Sequence, residues 1–220
     1  MNRGDYVERL EKVVKQLLIP LKNIPFNLVI EVLSGKRIIP FDLRNKDDLK
    51  ILECLKKAAV IAGKNVNRTG ILRPRPNEVG NDIEPFVKAA LKQAGYKSET
   101  PLTKGGDKKS AGYPDIAFTD HLKRINYLEC KTYNKSNIAT TQRSFYLSPS
   151  DEFKVTHDAH HFVISYEIFV GGRRNGNNIY RCKAWKILSI ENLEVDVKFE
   201  FNSDNRRLYA RDLILADGDL

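Results

Sequence analysis

Tyr113-Pro114-Asp115-Ile116-Ala117-Phe118 and Asn126-Tyr127-Leu128-Glu129-Cys130-Lys131-Thr132 flank a short polar run, 119–124 (TDHLKR). Both stretches carry the aromatic and branched apolar residues of strands, and the polar run between them reads as a turn. The pair therefore predicts an antiparallel hairpin of strands 113–118 and 125–133. Side chains alternate faces along a strand. Glu129 and Lys131 then share one face, while Leu128 and Cys130 point the other way into a core. Asp115 on the partner strand stands beside Glu129 and Lys131.

Outward from this hairpin the texture differs on the two sides. Upstream, Val7, Leu10, Val13, Val14, Leu17 and Leu18 recur at helical spacing, predicting a helix over 5–19 that ends near Pro20. Residues 21–45 are mixed, with a short hairpin expected around Ser34-Gly35-Lys36. Asn45 is an N-cap candidate for a helix over 46–63 that opens with acids and closes at Gly63. A loop with Pro74 and Pro76 follows, then a helix over 79–94 ending at Gly95. Downstream, strands are expected at 143–148, 161–170, 179–188, 193–201 and 207–213, the last after an Asp204-Asn205 turn. Helices first and mostly antiparallel strands after predict an α+β fold. The expected division is a mainly helical segment, 1–70, and a core, 71–220, that ends in a β-rich part.

Two carboxylates and an ammonium at a strand end have a chemical use. Asp115, Glu129 and the backbone carbonyl of Cys130 make an oxygen-rich site for Mg²⁺, a cation that keeps waters and takes phosphate oxygens. The metal polarises a phosphodiester and acidifies bound water. Lys131 is placed to orient or deprotonate the attacking water and to offset charge on the phosphorane. The plain alternative is a solvated strand face with a cross-strand charge pair.

Pro114-Asp115 followed by Glu129-Cys130-Lys131 resembles the motif of the PD-(D/E)xK nuclease superfamily. The spacing suits a direct hairpin, and a helix precedes it where that superfamily has one. The resemblance covers roughly residues 77–170. It implies a restriction-endonuclease-like core of a helix, a hairpin carrying the motif and a mixed central sheet. It also implies a glutamate on the preceding helix directed at the metal centre; Glu84 is the candidate and Glu78 the weaker choice. With this length and no helicase or ATPase motif, the chain is most like a type II restriction endonuclease. Its cofactor would be Mg²⁺, with Mn²⁺ able to substitute.

Several segments around the motif suit DNA. Lys104, Lys108 and Lys109 lie in a glycine-bearing loop that leads into Asp115, where lysines meet phosphates. Thr132, Tyr133, Asn134 and Lys135 follow Lys131 as donors to phosphate or base edges. Arg143 and Ser144 enter an expected strand. Arg173, Arg174 and Asn175 stand on the glycine-rich segment 171–178, a hairpin tip able to enter a groove. His157, His160 and His161 tempt a zinc reading but lack a fourth ligand.

The chain has 220 residues and a net charge of +9. The length suits one domain with an accessory segment, and the charge suits a polyanionic partner. The three cysteines, Cys54, Cys130 and Cys182, form no CxxC or CxxH pair, so neither a disulfide framework nor structural zinc is expected. No run spans a membrane and none reads as a signal peptide, so a cytoplasmic location is expected. The expected partner is double-stranded DNA, cut by a homodimer whose two-fold axis matches a palindromic site, with segment 1–70 serving dimerisation or as a DNA clamp and the β-rich end of the 71–220 nuclease core serving DNA recognition. One alternative is a structure-selective or nicking nuclease of the same superfamily, such as a junction resolvase or repair nickase. Another, of a different class, is a non-catalytic DNA-binding protein whose carboxylates only form salt bridges.

Overall fold

Nine residues of uninterrupted strand, Ile125–Tyr133, form the axis of the sheet, as the hairpin stretch predicts. The computed structural model describes residues 3–19, 21–109, 111–141, 144–145, 147–198 and 203–216. Contacts divide the chain into two units, Pro25–Leu193 and Met1–Ile24 with Glu194–Leu220.

In chain order the larger unit contains α2 (Phe26–Ser34), α3 (Lys46–Thr69), β2 (Ile71–Arg73), a 3-10 turn (Pro76–Glu78), α4 (Val79–Gln93), β3 (Lys97–Glu99), β4 (Ile116–Thr119), β5 (Ile125–Tyr133), β6 (His161–Arg174) and β7 (Asn177–Ser189). Its sheet has the order β2-β7-β6-β5-β4-β3. Every neighbouring pair is antiparallel except β5 with β6, which is parallel. The architecture is therefore α+β with a mixed sheet. Helices α3 and α4 cover one face through Ile51, Leu55, Ala58, Ala59, Ala62, Val66, Ile83, Val87 and Leu91, all fully buried. Facing them are Leu128 and Cys130 of β5 and Ile164, Tyr166 and Ile168 of β6. Full burial of each large aliphatic contributes roughly 1.5–3 kcal/mol. Tyr166 adds a hydrogen bond from its hydroxyl to the Ala59 carbonyl, 3.0 Å, which ties sheet to helix.

The smaller unit holds α1 (Arg3–Leu17), β1 (Leu21–Pro25), β8 (Glu194–Val197) and α5 (Asn205–Leu208), with β1 and β8 paired. The Asp196 carboxylate accepts the Asn23 N–H at 3.0 Å. Tyr6, Val7, Leu10 and Val13 of α1 are about half exposed.

Several expectations need correction. Ser34-Gly35-Lys36 is no hairpin: Gly35, at φ 67°, closes α2 with its N–H on the Glu31 carbonyl. Helix α3 runs past Gly63 to Thr69, and Gly70, at φ 72°, ends it. Gly63 is there for approach rather than termination, since a Cβ on it would lie 3.4 Å from the Tyr166 ring. Asn45 is the N-cap expected, its side chain accepting the Asp47 N–H at 2.8 Å. Strand β4 starts at Ile116 rather than at residue 113. The described residues of 143–148 form no strand. Phe145 instead packs edge-on against Phe26 and Tyr113, with ring centroids 5.2 and 5.6 Å away. The glycine-rich tip narrows to Asn175-Gly176, both at positive φ, because the flanking residues continue β6 and β7. Near 207–213 there is no strand: Asp204 caps α5, accepting the Arg207 N–H at 2.8 Å. Helix α3 packs into the same unit as the sheet, so the contact grouping does not divide at residue 70.

The two glycines of α3 should part company on substitution. At Gly70 a Cβ meets Ile179 at 2.5 Å from a left-handed backbone. Gly70→Ala is expected to destabilise by about 2 kcal/mol. At Gly63 alanine gains about 1 kcal/mol of helix propensity, which the close approach of its Cβ to the Tyr166 ring at 3.4 Å offsets, so Gly63→Ala stays close to the parent. Urea denaturation of both variants measures the difference.

Candidate active site

The site forms where β4 stops. The β4–β5 ladder ends at Ile116 opposite Leu128, which leaves the next inward groups of β5 without a strand partner on that side. The side chain of Asp115 takes the place of the missing strand: its Oδ2 accepts the Cys130 N–H at 2.8 Å. A strand residue turns its N–H and C=O toward the same neighbour, so the Cys130 carbonyl also faces the Asp115 side. Alternation puts Glu129 and Lys131 on the sheet face away from α3 and α4. There the Lys131 ammonium donates to Glu129 Oε1 at 2.7 Å. It also sits 5.8 Å from the centre of the Phe145 ring.

Both carboxylates are held in an unfavourable place for charge. Glu129 is buried, and among the described residues its Oε2 has no hydrogen-bond partner. Burial first, then the Asp115 charge, push its carboxyl up to about 7, against the opposing pull of Lys131. Asp115 is raised by burial and then by Glu84, against the Cys130 N–H. An orphaned buried carboxylate oxygen beside a second carboxylate and a backbone carbonyl suits a hard divalent cation. Among the described residues no three His, Cys, Asp or Glu side chains form a ready-made metal cage. The donor set is thus two carboxylates and a carbonyl, which leaves coordination positions for water and phosphate.

The other expected residues fall into three groups. Glu84, on α4, acts on Asp115 through space but makes its ion pair with Lys88, one turn along. Glu78 is bound to Arg73 at 3.1 Å. Tyr133 shares the face of Lys131, whereas Thr132 turns to the helix side, its Oγ1 3.9 Å from where a Cβ on Gly80 would sit. Lys104, Lys108 and Lys109 are exposed in the loop before Asp115, and Lys104 is tied back by its N–H to the Phe153 carbonyl at 2.9 Å. Asn134, Lys135 and Ser144 are exposed, and Arg143 lies outside the described residues. Arg173 and Arg174 end β6, and Asn175 opens the turn. Ser165 pairs with Lys131, and Arg173 is eight residues further along β6, about 26 Å at ~3.3 Å per residue. The hairpin tip is therefore remote from the carboxylates. The three histidines do not converge. His160 engages the Ile39 carbonyl and Asp48, His161 the Tyr113 hydroxyl at 2.6 Å, and exposed His157 its neighbour Thr156. Burial lowers His161 to about 3, so it is neutral at pH 7.

Sequence reading missed Lys154. Its side chain is buried, and its ammonium donates to the carbonyls of Gly112 at 2.6 Å and Pro114 at 3.2 Å. It thereby clamps the backbone on both sides of Tyr113 and brings a positive charge to Asp115, Glu84 and Glu129. In the sequence it is one lysine in the polar run Asp151-Glu152-Phe153-Lys154, and no local pattern marks it.

Buried Glu129, half-buried Asp115 and the adjoining Lys131 thus stand together at the end of a hairpin in a mixed α+β sheet. Comparison with known sequences gives the family. The profile of the type II restriction enzyme MjaV family matches residues 19–212, and the chain belongs to that family. It is 39% identical over 235 aligned residues to the type II restriction enzyme MjaV of Methanocaldococcus jannaschii, with each chain covered in full. No solved structure matches. The expectation of a type II restriction endonuclease, a DNA-cleaving hydrolase, is thereby borne out, in preference to a resolvase, a nickase or a non-catalytic binder. Among the described residues no helix is long and apolar enough to cross a membrane.

The raised carboxyls predict a pH dependence of stability. The folded protein keeps a proton on Glu129 up to about 7, whereas the ordinary value is 4.5. Between those values the folded state binds more protons than the unfolded chain, so stability falls as pH rises through the window. Urea denaturation in EDTA at pH 5 and pH 8 should show this loss, and Glu129→Gln should reduce it. A Glu129→Gln protein with the same pH dependence as the parent would show the charge cost to lie elsewhere.

Proposed function

We propose that Asp115, Glu129 and Lys131 carry Mg²⁺-dependent hydrolysis of duplex DNA at a short specific sequence. The observation that supports this most is the convergence of the three side chains around the unpartnered Glu129 Oε2, in a chain of the restriction enzyme family. Type II restriction enzymes generally use Mg²⁺, and the oxygen-rich donor set agrees with it. Asp115, Glu129 and the Cys130 carbonyl are the groups that hold the ion. When bound, Mg²⁺ polarises the phosphodiester and lowers the pKa of water. Mn²⁺, a cation of similar ligand preference, substitutes.

The chain's own groups do the rest. Lys131, anchored on Glu129, orients the attacking water and offsets charge on the phosphorane. Lys154 holds the 112–114 backbone and so fixes where Asp115 stands. Glu84 adds negative charge behind Asp115 from α4. The core is read as restriction-endonuclease-like because the helix, the hairpin and the parallel strand β6 come in the expected order.

Duplex recognition is assigned to basic and amide groups around this centre. Lys104, Lys108, Lys109, Asn134, Lys135 and Ser144 flank it and suit the backbone. Arg173, Arg174 and Asn175, carried far out on the β6–β7 hairpin, suit a groove at a distance. The enzyme acts as a homodimer, since cutting both strands of a palindromic site takes two centres related by a two-fold axis. The exposed apolar side chains of α1 support a dimerisation role for the N-terminal segment.

Purified protein with Mg²⁺ is expected to cut plasmid DNA into discrete bands. Asp115→Ala and Lys131→Ala are each expected to lower the cleavage rate by about 10²–10⁴, with duplex binding in a gel shift retained. Undiminished cleavage by Lys131→Ala would overturn the assignment of that lysine.

A further inference from the structure

The register of the central strands lines up a row that leads away from the carboxylates. Lys131 of β5 pairs with Ser165 of β6, and Ser165 pairs with Lys186 of β7. Directly paired residues share a face, so all three side chains stand on the face opposite α3 and α4. Within the row Lys131 is half-buried, Ser165 nearly buried and Lys186 exposed. The neighbouring rows differ. Glu129, Val163 and Leu188 form an acidic and apolar row, and Tyr133, Glu167 and Ala184 form the next. In that last row the Glu167 carboxylate has a cation at hand, Lys183, at 3.8 Å. Lys186 reaches back across β6 toward β5, its ammonium 5.9 Å from the centre of the Tyr133 ring, one row beyond Lys131. Among the described residues no carboxylate pairs with Lys186.

We propose that Lys186, with Ser165 between it and Lys131, forms a phosphate subsite for the DNA strand being cut. The inference rests on the nuclease reading above and adds a contact on that strand. Two strand spacings put the backbones of Lys131 and Lys186 about 10 Å apart. That separation lets the two ammonium groups meet different phosphates of one strand, which follow one another at about 3.4 Å of rise along the helix axis and are further apart through space. The Ser165 hydroxyl offers a hydrogen bond between the two ammonium groups. Tyr133 props the stem of Lys186 so that its charge stays over the cleft, as a cation held against an aromatic face does.

The test measures binding of a fluorescent 30-base-pair duplex of arbitrary sequence in EDTA over a range of salt concentrations. For Lys186→Ala, affinity at low salt should fall severalfold, and the slope of log K against log[salt] should become shallower by about 0.9, one phosphate contact. Lys56→Ala removes a half-exposed lysine, paired with Glu53, from α3 on the other side of the sheet, and should leave the slope unchanged. In cleavage, Lys186→Ala should raise KM for DNA while kcat is held. An unchanged salt slope in Lys186→Ala, or an equal loss in Lys56→Ala, would overturn the subsite. Failure of the parent protein to bind the duplex would instead overturn the nuclease reading on which it rests.

Discussion

One hydrogen bond joins fold and chemistry: the Cys130 N–H to the Asp115 carboxylate. Strand β4 begins two residues too late to satisfy that N–H through the ladder, whose register would set Pro114 opposite Cys130. A buried N–H without a partner costs about as much as a lost hydrogen bond. The carboxylate of the residue just before the strand fills the gap. Asp115 is thereby held against β5 at the level of Glu129 and Lys131, and its own burial is partly offset by the bond it accepts.

The rest of the site follows from the cost of that burial. Burial raises both carboxyls above ordinary carboxylate values, and a neighbouring negative charge adds to it, that of Glu84 at Asp115 and that of Asp115 at Glu129. The fold answers with cations of different reach. Lys131 touches Glu129 directly, Lys154 works from behind the 112–114 backbone, and Lys88 engages Glu84. These ammonium groups reduce the repulsion, yet among the described residues Glu129 Oε2 still lacks a partner. A divalent cation would satisfy both deficits at once, in charge and in coordination, which is the physical case for a metal-assisted hydrolase here.

The overall charge of +9 takes on a more definite meaning in the structure. Acidic groups are drawn inward around the hairpin, and lysines and arginines remain on the loops and strand ends around it. The contrast suits a surface that meets a polyanion while its floor attracts a cation. Lys186 shows how the sheet distributes that charge. Nothing near it in the chain marks it, but the β6–β7 register sets it in the row of Lys131.

The hairpin stretch, the alternation along β5, the Asn45 cap and the helix before the motif were legible in the sequence because each rests on contacts between near neighbours. So was the shared face of Glu129 and Lys131, which follows from a period of two. Gly63 and Gly70 could not be told apart, since one is set by a distant Tyr166 ring and the other by its own φ. Phe145 was read as strand because its local texture is strand-like, yet aromatic contacts with Phe26 and Tyr113 decide its place. By itself, the sequence determined the hairpin, the α+β order and the residues that face one another across it. Tertiary structure decided the start of β4, the parallel partner of β5, the burial of Lys154 and the row ending at Lys186. Those depend on pairings between segments far apart in the chain, whose register and desolvation no local pattern encodes.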